Sequence, residues 1–115
     1  MAQARYAEIV ADDGANARRT EFVAISNVID ALGAVAGAAI PSFDALTTAL
    51  DMHDALWSIF LEDLAGDGNL LPLDLRASLI SIGLWAVKES ANARLGGDLK
   101  TLIEVNSIVR DGLGR

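Results

Sequence analysis

Leu56–Val87 reads LWSIFLEDLAGDGNLLPLDLRASLISIGLWAV, and this stretch decides the fold class. Through Leu64 it repeats apolar residues at three-four spacing, the mark of a helix with one buried face. Gly66-Asp67-Gly68-Asn69 interrupts the pattern, and Leu71-Pro72 restarts it, because proline suits the first turn of a helix. From Leu75 to Val87 the chain is apolar nearly all round. A helix without a polar face is normally central, so this segment is expected at the middle of a helical core.

Working outward, the same logic places more helices. Upstream, Phe43, Leu46, Leu50, His53, Trp57, Phe60 and Leu64 form one seam over residues 43–65, with Leu56 and Leu61 widening it. Ser42 is a good N-cap, and Asp44 favours the first turn. Residues 16–39 carry Phe22, Ile25, Ile29, Leu32 and Ala36 at helical spacing, with Val28 and Val35 beside them. Gly33 and Gly37 weaken that helix but would let a neighbour approach closely, and Ile40-Pro41 ends it. The third helix spans 72–95 and stops at Gly96-Gly97. Asp98 opens the fourth, 98–112, whose seam is Leu99, Leu102, Asn106, Val109 and Leu113. Residues 1–14 form a short accessory helix stopped by Gly14. No segment alternates as a strand would. The expected fold is all-α, an antiparallel four-helix bundle with a short accessory N-terminal helix. Its core is expected to include Trp57, Phe60, Leu64, Leu75, Leu79, Ile82, Trp85 and Leu102.

The 115 residues suit one domain, and folding should bury roughly two thirds of the unfolded chain's surface. With 52% hydrophobic residues and only 5% aromatics, the core is aliphatic. The chain has no cysteine, which excludes disulfides and thiolate metal sites. A net charge of −7, spread along the chain, disfavours phosphate backbones and anionic lipid surfaces. The start lacks the order of a secretory signal, and no apolar run approaches a membrane span. The expectation is a cytoplasmic protein with no membrane insertion and no direct nucleic-acid binding.

No chemistry-bearing constellation survives inspection. His53 is the only histidine, and Asp51 and Asp54 lie off its seam, so it reads as a histidine of the seam or its boundary rather than a metal ligand. Asp63, Asp67 and Asn69 fail the order of a calcium loop. Glu62-Asp63 and Asp12-Asp13 are adjacent in sequence and do not face each other on a helix. Ser78, Ser81 and Ser90 have no histidine at a readable position. No catalytic, cofactor-binding or metal-binding residue is assigned, and no cofactor and no enzymatic activity are expected. Arg76 reads as a surface arginine covering core or as an ion-pair partner of Asp63 or Asp67. Asn106, polar on an apolar seam, reads as a residue that fixes register or, less simply, contacts a bound segment.

The pattern LW-x-x-F-x-x-DL, then N-x-LP-x-x-LRASLISIG-x-W, then LI-x-x-N-x-I-x-x-GL resembles the bacterial flagellar biosynthesis regulator FlaF family. Here it falls on Leu56, Trp57, Phe60, Asp63, Leu64, Asn69, Leu71, Pro72, Leu75, Arg76 to Gly83, Trp85, Leu102, Ile103, Asn106, Ile108, Gly112 and Leu113. Tyr6-Ala7 and Arg19-Thr20-Glu21 are similar to the family's opening. The resemblance implies a role in flagellum assembly: control of flagellin production and export, in concert with the regulator FlbT, and binding of flagellin as a secretion chaperone.

Such a chaperone needs an apolar groove for an amphipathic helix. The apolar positions outnumber what the seams require. Tyr6, Ile9, Val10, Val28, Val35, Leu56 and Leu61 are therefore the candidate partner-binding residues. Two other readings stand beside this one. The chain could regulate flagellin transcripts directly, which should require a basic stripe with stacking aromatics. Or the surplus could be buried in a homodimer rather than left on a monomer.

Overall fold

The computed structural model describes residues 2–113, with side chains described from Arg19 onward. The helices are α1 (Ala2–Ala36), α2 (Phe43–Ala65), α3 (Leu73–Arg94) and α4 (Lys100–Leu113). Among the described residues there is no strand, and no helix is long and apolar enough to cross a membrane.

The helices form a ring. α1 packs on α2 and α4, α2 packs on α3, and α3 meets α4 only sparingly. The direction of α3 against α2 follows from who meets whom. Arg94 near the end of α3 reaches Asp51 and Asp54 in the first half of α2, whereas Arg76 near the start of α3 reaches Leu64 at the end of α2, so the pair is antiparallel. Glu21 of α1 shares a groove with Val109 and Leu113 at the end of α4.

Local chemistry sets the boundaries. The Ala45 N–H donates to Ser42 Oγ at 3.2 Å, so Ser42 caps α2 as its side chain predicts. Pro72 stands one position before the first helical residue of α3. At the other end of α3, Gly96 adopts φ +101°, and the N–H groups of Gly96 and Gly97 donate to Ala93 O and Asn92 O. That is the two-bond C-terminal stop that needs a left-handed residue, which glycine supplies. A Cβ at Gly97 would come within 2.9 Å of Asn92 O. Asp98 accepts from the Lys100 N–H at 2.9 Å and starts α4.

Three expectations about the helices need correction. α1 is one helix from Ala2 to Ala36, so residues 1–14 are not a separate accessory element and nothing ends at Gly14. A single glycine costs a helix only about 1 kcal/mol, which is too little to stop it without a capping geometry. Gly33 and Gly37 do not admit a neighbouring helix, since a Cβ at Gly33 would meet nothing within 4 Å and one at Gly37 only Gly33 O. The close approach is at Gly83 of α3, where a Cβ would lie 2.7 Å from Leu61 Cδ2 and 2.9 Å from Trp57 Cε3.

α3 is also not central. It buries only Gly83, Ala86, Ser90 and Ala93, a strip of small residues laid against α2. Small residues bring the axes together but cover little of the helix around them. Leu75, expected in the core, is 45% exposed. The core lies instead where α1, α2 and α4 face one another, with Ile25, Val28, Leu32, Leu50, Trp57 and Leu102 buried within it.

Candidate partner-binding groove

The groove is built from α2 upward. Helical spacing puts Leu50, His53, Trp57 and Leu64 on the buried face of α2, with Phe60 beside them. The Trp57 and Phe60 rings meet edge to face, with centroids 5.6 Å apart. A buried indole needs an acceptor for its N–H. Trp57 Nε1 donates to Asn106 Oδ1 at 2.9 Å, and Asn106 Nδ2 donates to Leu102 O at 2.8 Å. Asn106 therefore ties α4 to α2, two helices whose backbones do not pack directly. Its seam position is thus explained by an internal bond that fixes α4 in register.

The turn after α2 makes the lip. Asn69 Nδ2 donates to Asp63 Oδ2 at 3.1 Å, and Asn69 Oδ1 accepts from the Leu71 N–H at 3.0 Å. Arg76 makes no ion pair with Asp63 or Asp67. Its guanidinium donates to Leu64 O, from Nε at 3.0 Å and from Nη2 at 2.7 Å, and to Gly66 O at 3.2 Å. The last carbonyls of a helix have no partners within it and carry the negative end of its dipole, so a cation that binds them both caps α2 and locks the turn.

These parts enclose an apolar groove of about 210 Å3. Trp57, Phe60, Leu64, Leu71, Leu79, Val109 and Leu113 line it, and Glu21, Asp63 and Asn69 form its polar edge. It lies at the end of the bundle away from the short α3–α4 turn. Those two helices are joined at Leu95–Leu99 and touch little elsewhere, which leaves this end open.

None of the candidate partner-binding residues whose side chains are described lines the groove. Val28 is core, buried between α1 and its two neighbours, and is not available to a partner. Val35 and Leu56 are half-buried and packed on the core, and Leu61 is spent on Gly83. The side chains of Tyr6, Ile9 and Val10 lie outside the described residues. The groove is instead lined by Trp57, Phe60, Leu64 and Leu79, residues read as core from their spacing. Periodicity identifies which face turns inward but cannot show that the inside stays open at one end. The signal that could have marked it is Asn106, a polar group whose partner had to be a side chain across the bundle.

A second polar cluster joins α2 to α3 near the other end. His53 is fully buried, and its Nδ1 donates to Asp54 Oδ1 at 3.0 Å. Burial drives the His53 pKa below its ordinary value of 6.5, against the pull of Asp54. Burial alone would raise Asp54, but hydrogen bonding with His53, Ser90 and Arg94 outweighs it and holds the carboxyl below 3.8. Arg94 Nη2 spans Asp51 at 2.8 Å and Asp54 at 2.9 Å, which raises its own pKa. The Ser90 hydroxyl is buried with no hydrogen bond of ordinary geometry, and so is His53 Nε2, although Ser90 still helps hold the Asp54 charge. The groove is not lined by any of these residues.

A family model described as Flagellar protein FlaF matches residues 2–113. The chain belongs to the FlaF flagellar protein family. No curated protein and no solved structure matches it. The stretches that carry the FlaF resemblance converge on the groove, supplying every lining residue except Val109.

Proposed function

We propose that this FlaF-family protein binds flagellin before export, as a cytoplasmic secretion chaperone that performs no catalysis. The observation that carries the reading is the open apolar groove at the Trp57 end of the bundle. At about 210 Å3 it is smaller than the ~300–1,000 Å3 of typical small-molecule sites. It suits two or three anchoring side chains of an amphipathic helix laid across the bundle end. Leu70 and Leu71, exposed at the lip, extend the apolar track beyond the groove. Control of flagellin production in concert with FlbT fits the same reading, because a chaperone that holds flagellin also senses its supply.

Direct action on RNA is the weaker reading. Arg76, Arg94 and Arg110 are each engaged by carbonyls or carboxylates, and the net charge is −7. Titration calorimetry with purified flagellin tests the proposal. Saturable heat is expected, and Leu71→Asp should weaken binding about tenfold or more, as for an anchor residue. No heat and no co-elution with flagellin would end it.

A further inference from the structure

The face of α3 that points away from both α2 and α4 is a coiled-coil seam. Leu73, Ala77, Ile80, Leu84, Val87 and Ala91 follow one another at spacings of four, three, four, three and four. A strict alternation of this kind is the signature of a helix that pairs with another helix along its length. All but the half-buried Ile80 are exposed, Leu73 at 76% and Leu84 at 61%. Nothing within the described residues covers the face, and α3 is long enough for three heptads.

The seam also says what should cover it. In an antiparallel pair, the two seam positions of each heptad alternate across the interface. Centre such a pair on Ile82, and Leu73 meets Ala91 of the other copy, Val87 meets Ala77, and Ile80 meets Leu84. The outer layers then set a large side chain against a small one, which fills space without voids. One flank of the seam holds Asp74, Ser81 and Lys88, again seven residues apart. In the same register Asp74 lies beside Lys88 of the other copy at both ends, and the two Ser81 side chains face each other at the axis. The two most exposed leucines, Leu70 at 93% and Leu95 at 89%, lie just beyond opposite ends of α3 and meet in that register too. A surface whose shape and charge complement themselves under a two-fold rotation is what an isologous dimer requires.

We propose that the outer face of α3 is a homodimer interface, in which α3 pairs antiparallel with α3 of a second copy about an axis at Ile82. The inference stands independently of flagellin binding, since none of the seam residues of α3 lines the groove and only Leu70, at the lip, lies near both surfaces. Sedimentation of the full chain over a wide concentration range should show a reversible doubling of mass. Leu84→Glu should abolish the doubling while leaving the helical circular dichroism intact, because Leu84 makes no core contact. The register has its own test, which the absence of native cysteine makes clean. Ala77→Cys and Val87→Cys proteins treated with a short bismaleimide should cross-link when mixed and not when each is alone. A single-chain mass at every concentration would overturn the proposal, as would self-linking of each variant alone, which signifies a parallel pair. Loss of flagellin binding in Leu84→Glu without any change in mass would assign the face to that partner and overturn it as well.

Discussion

α3 and α4 meet the core in opposite ways. α4 gathers its most buried residues on one seam: Leu102, Val109 and Leu113 are buried or half-buried with Asn106 among them, and Leu99 is buried just before the helix, while Ile103 and Val105 are half-buried on the flanks and Ile108, on the opposite side, is 70% exposed. α3 has apolar residues on every side and buries only a strip of small ones. The contrast between faces, not total apolarity, identifies what turns inward. A sharply two-sided helix can satisfy its apolar face in only one orientation. An evenly apolar helix gains nearly as much in several, so its orientation is set by where another helix comes closest. Here that is Gly83 and Ala86 against α2, and the unused side is left for a partner.

Substitutions can sharpen or break this comparison. The largest effect is expected where α4 is anchored across the bundle. Trp57→Ala should cost about 3–5 kcal/mol in denaturant unfolding, from the lost ring and the cavity it leaves. Asn106→Ala should cost about 2–3 kcal/mol, since it strands the buried Trp57 N–H as well as removing its own bond to Leu102 O. If Asn106→Ala proves neutral, the seam of α4 is held by its leucines alone. Gly83→Ala should cost about 1–2 kcal/mol, because the new Cβ must displace Leu61 and press on the Trp57 ring. A neutral result would mean that α2 and α3 sit further apart.

The His53 cluster adds a dependence on pH. His53 has a folded pKa below 6.5, so the unfolded chain binds its proton first as pH falls. Stability from this group is complete above about pH 6.5 and is lost on acidification until the folded pKa is passed, with a slope of at most about 1.4 kcal/mol per pH unit. Asp54, with its folded pKa below 3.8, adds a loss in the same direction at lower pH. Thermal unfolding between about pH 7 and about pH 4, from just above the ordinary histidine range down to the ordinary carboxylate range, should show the first decline, and His53→Gln should flatten it. The smallest effect belongs to the outer face of α3. There Leu84→Glu should change the unfolding free energy of a dilute sample by no more than about 0.5 kcal/mol. A large loss would show that this face is packed within one chain after all.

Much of the architecture was readable beforehand, because its signals are local. Ser42 before Phe43, Gly66 to Pro72 between two apolar runs, and Gly96-Gly97 before Asp98 each report a backbone requirement met within a few residues. The groove was readable only in its materials. Trp57, Phe60, Leu64 and Leu79 were assigned to the interior, where they do turn, but whether that interior is closed depends on how far α3 stands from α4. From the sequence Arg76 reads as a surface arginine or an ion-pair partner of Asp63 or Asp67, whereas its bonds to Leu64 O and Gly66 O depend on a turn bringing the end of α2 back to the start of α3.

The sequence by itself determined that this chain is helical, where the helices from α2 onward begin and end, and that it belongs with FlaF proteins, because capping, periodicity and motif are properties of neighbouring residues. Only the tertiary structure decided that α1 continues through Gly14, that α3 lies at the edge, and that one end of the bundle stays open. Those outcomes depend on distances between helices, which are set where the smallest side chains let two backbones meet.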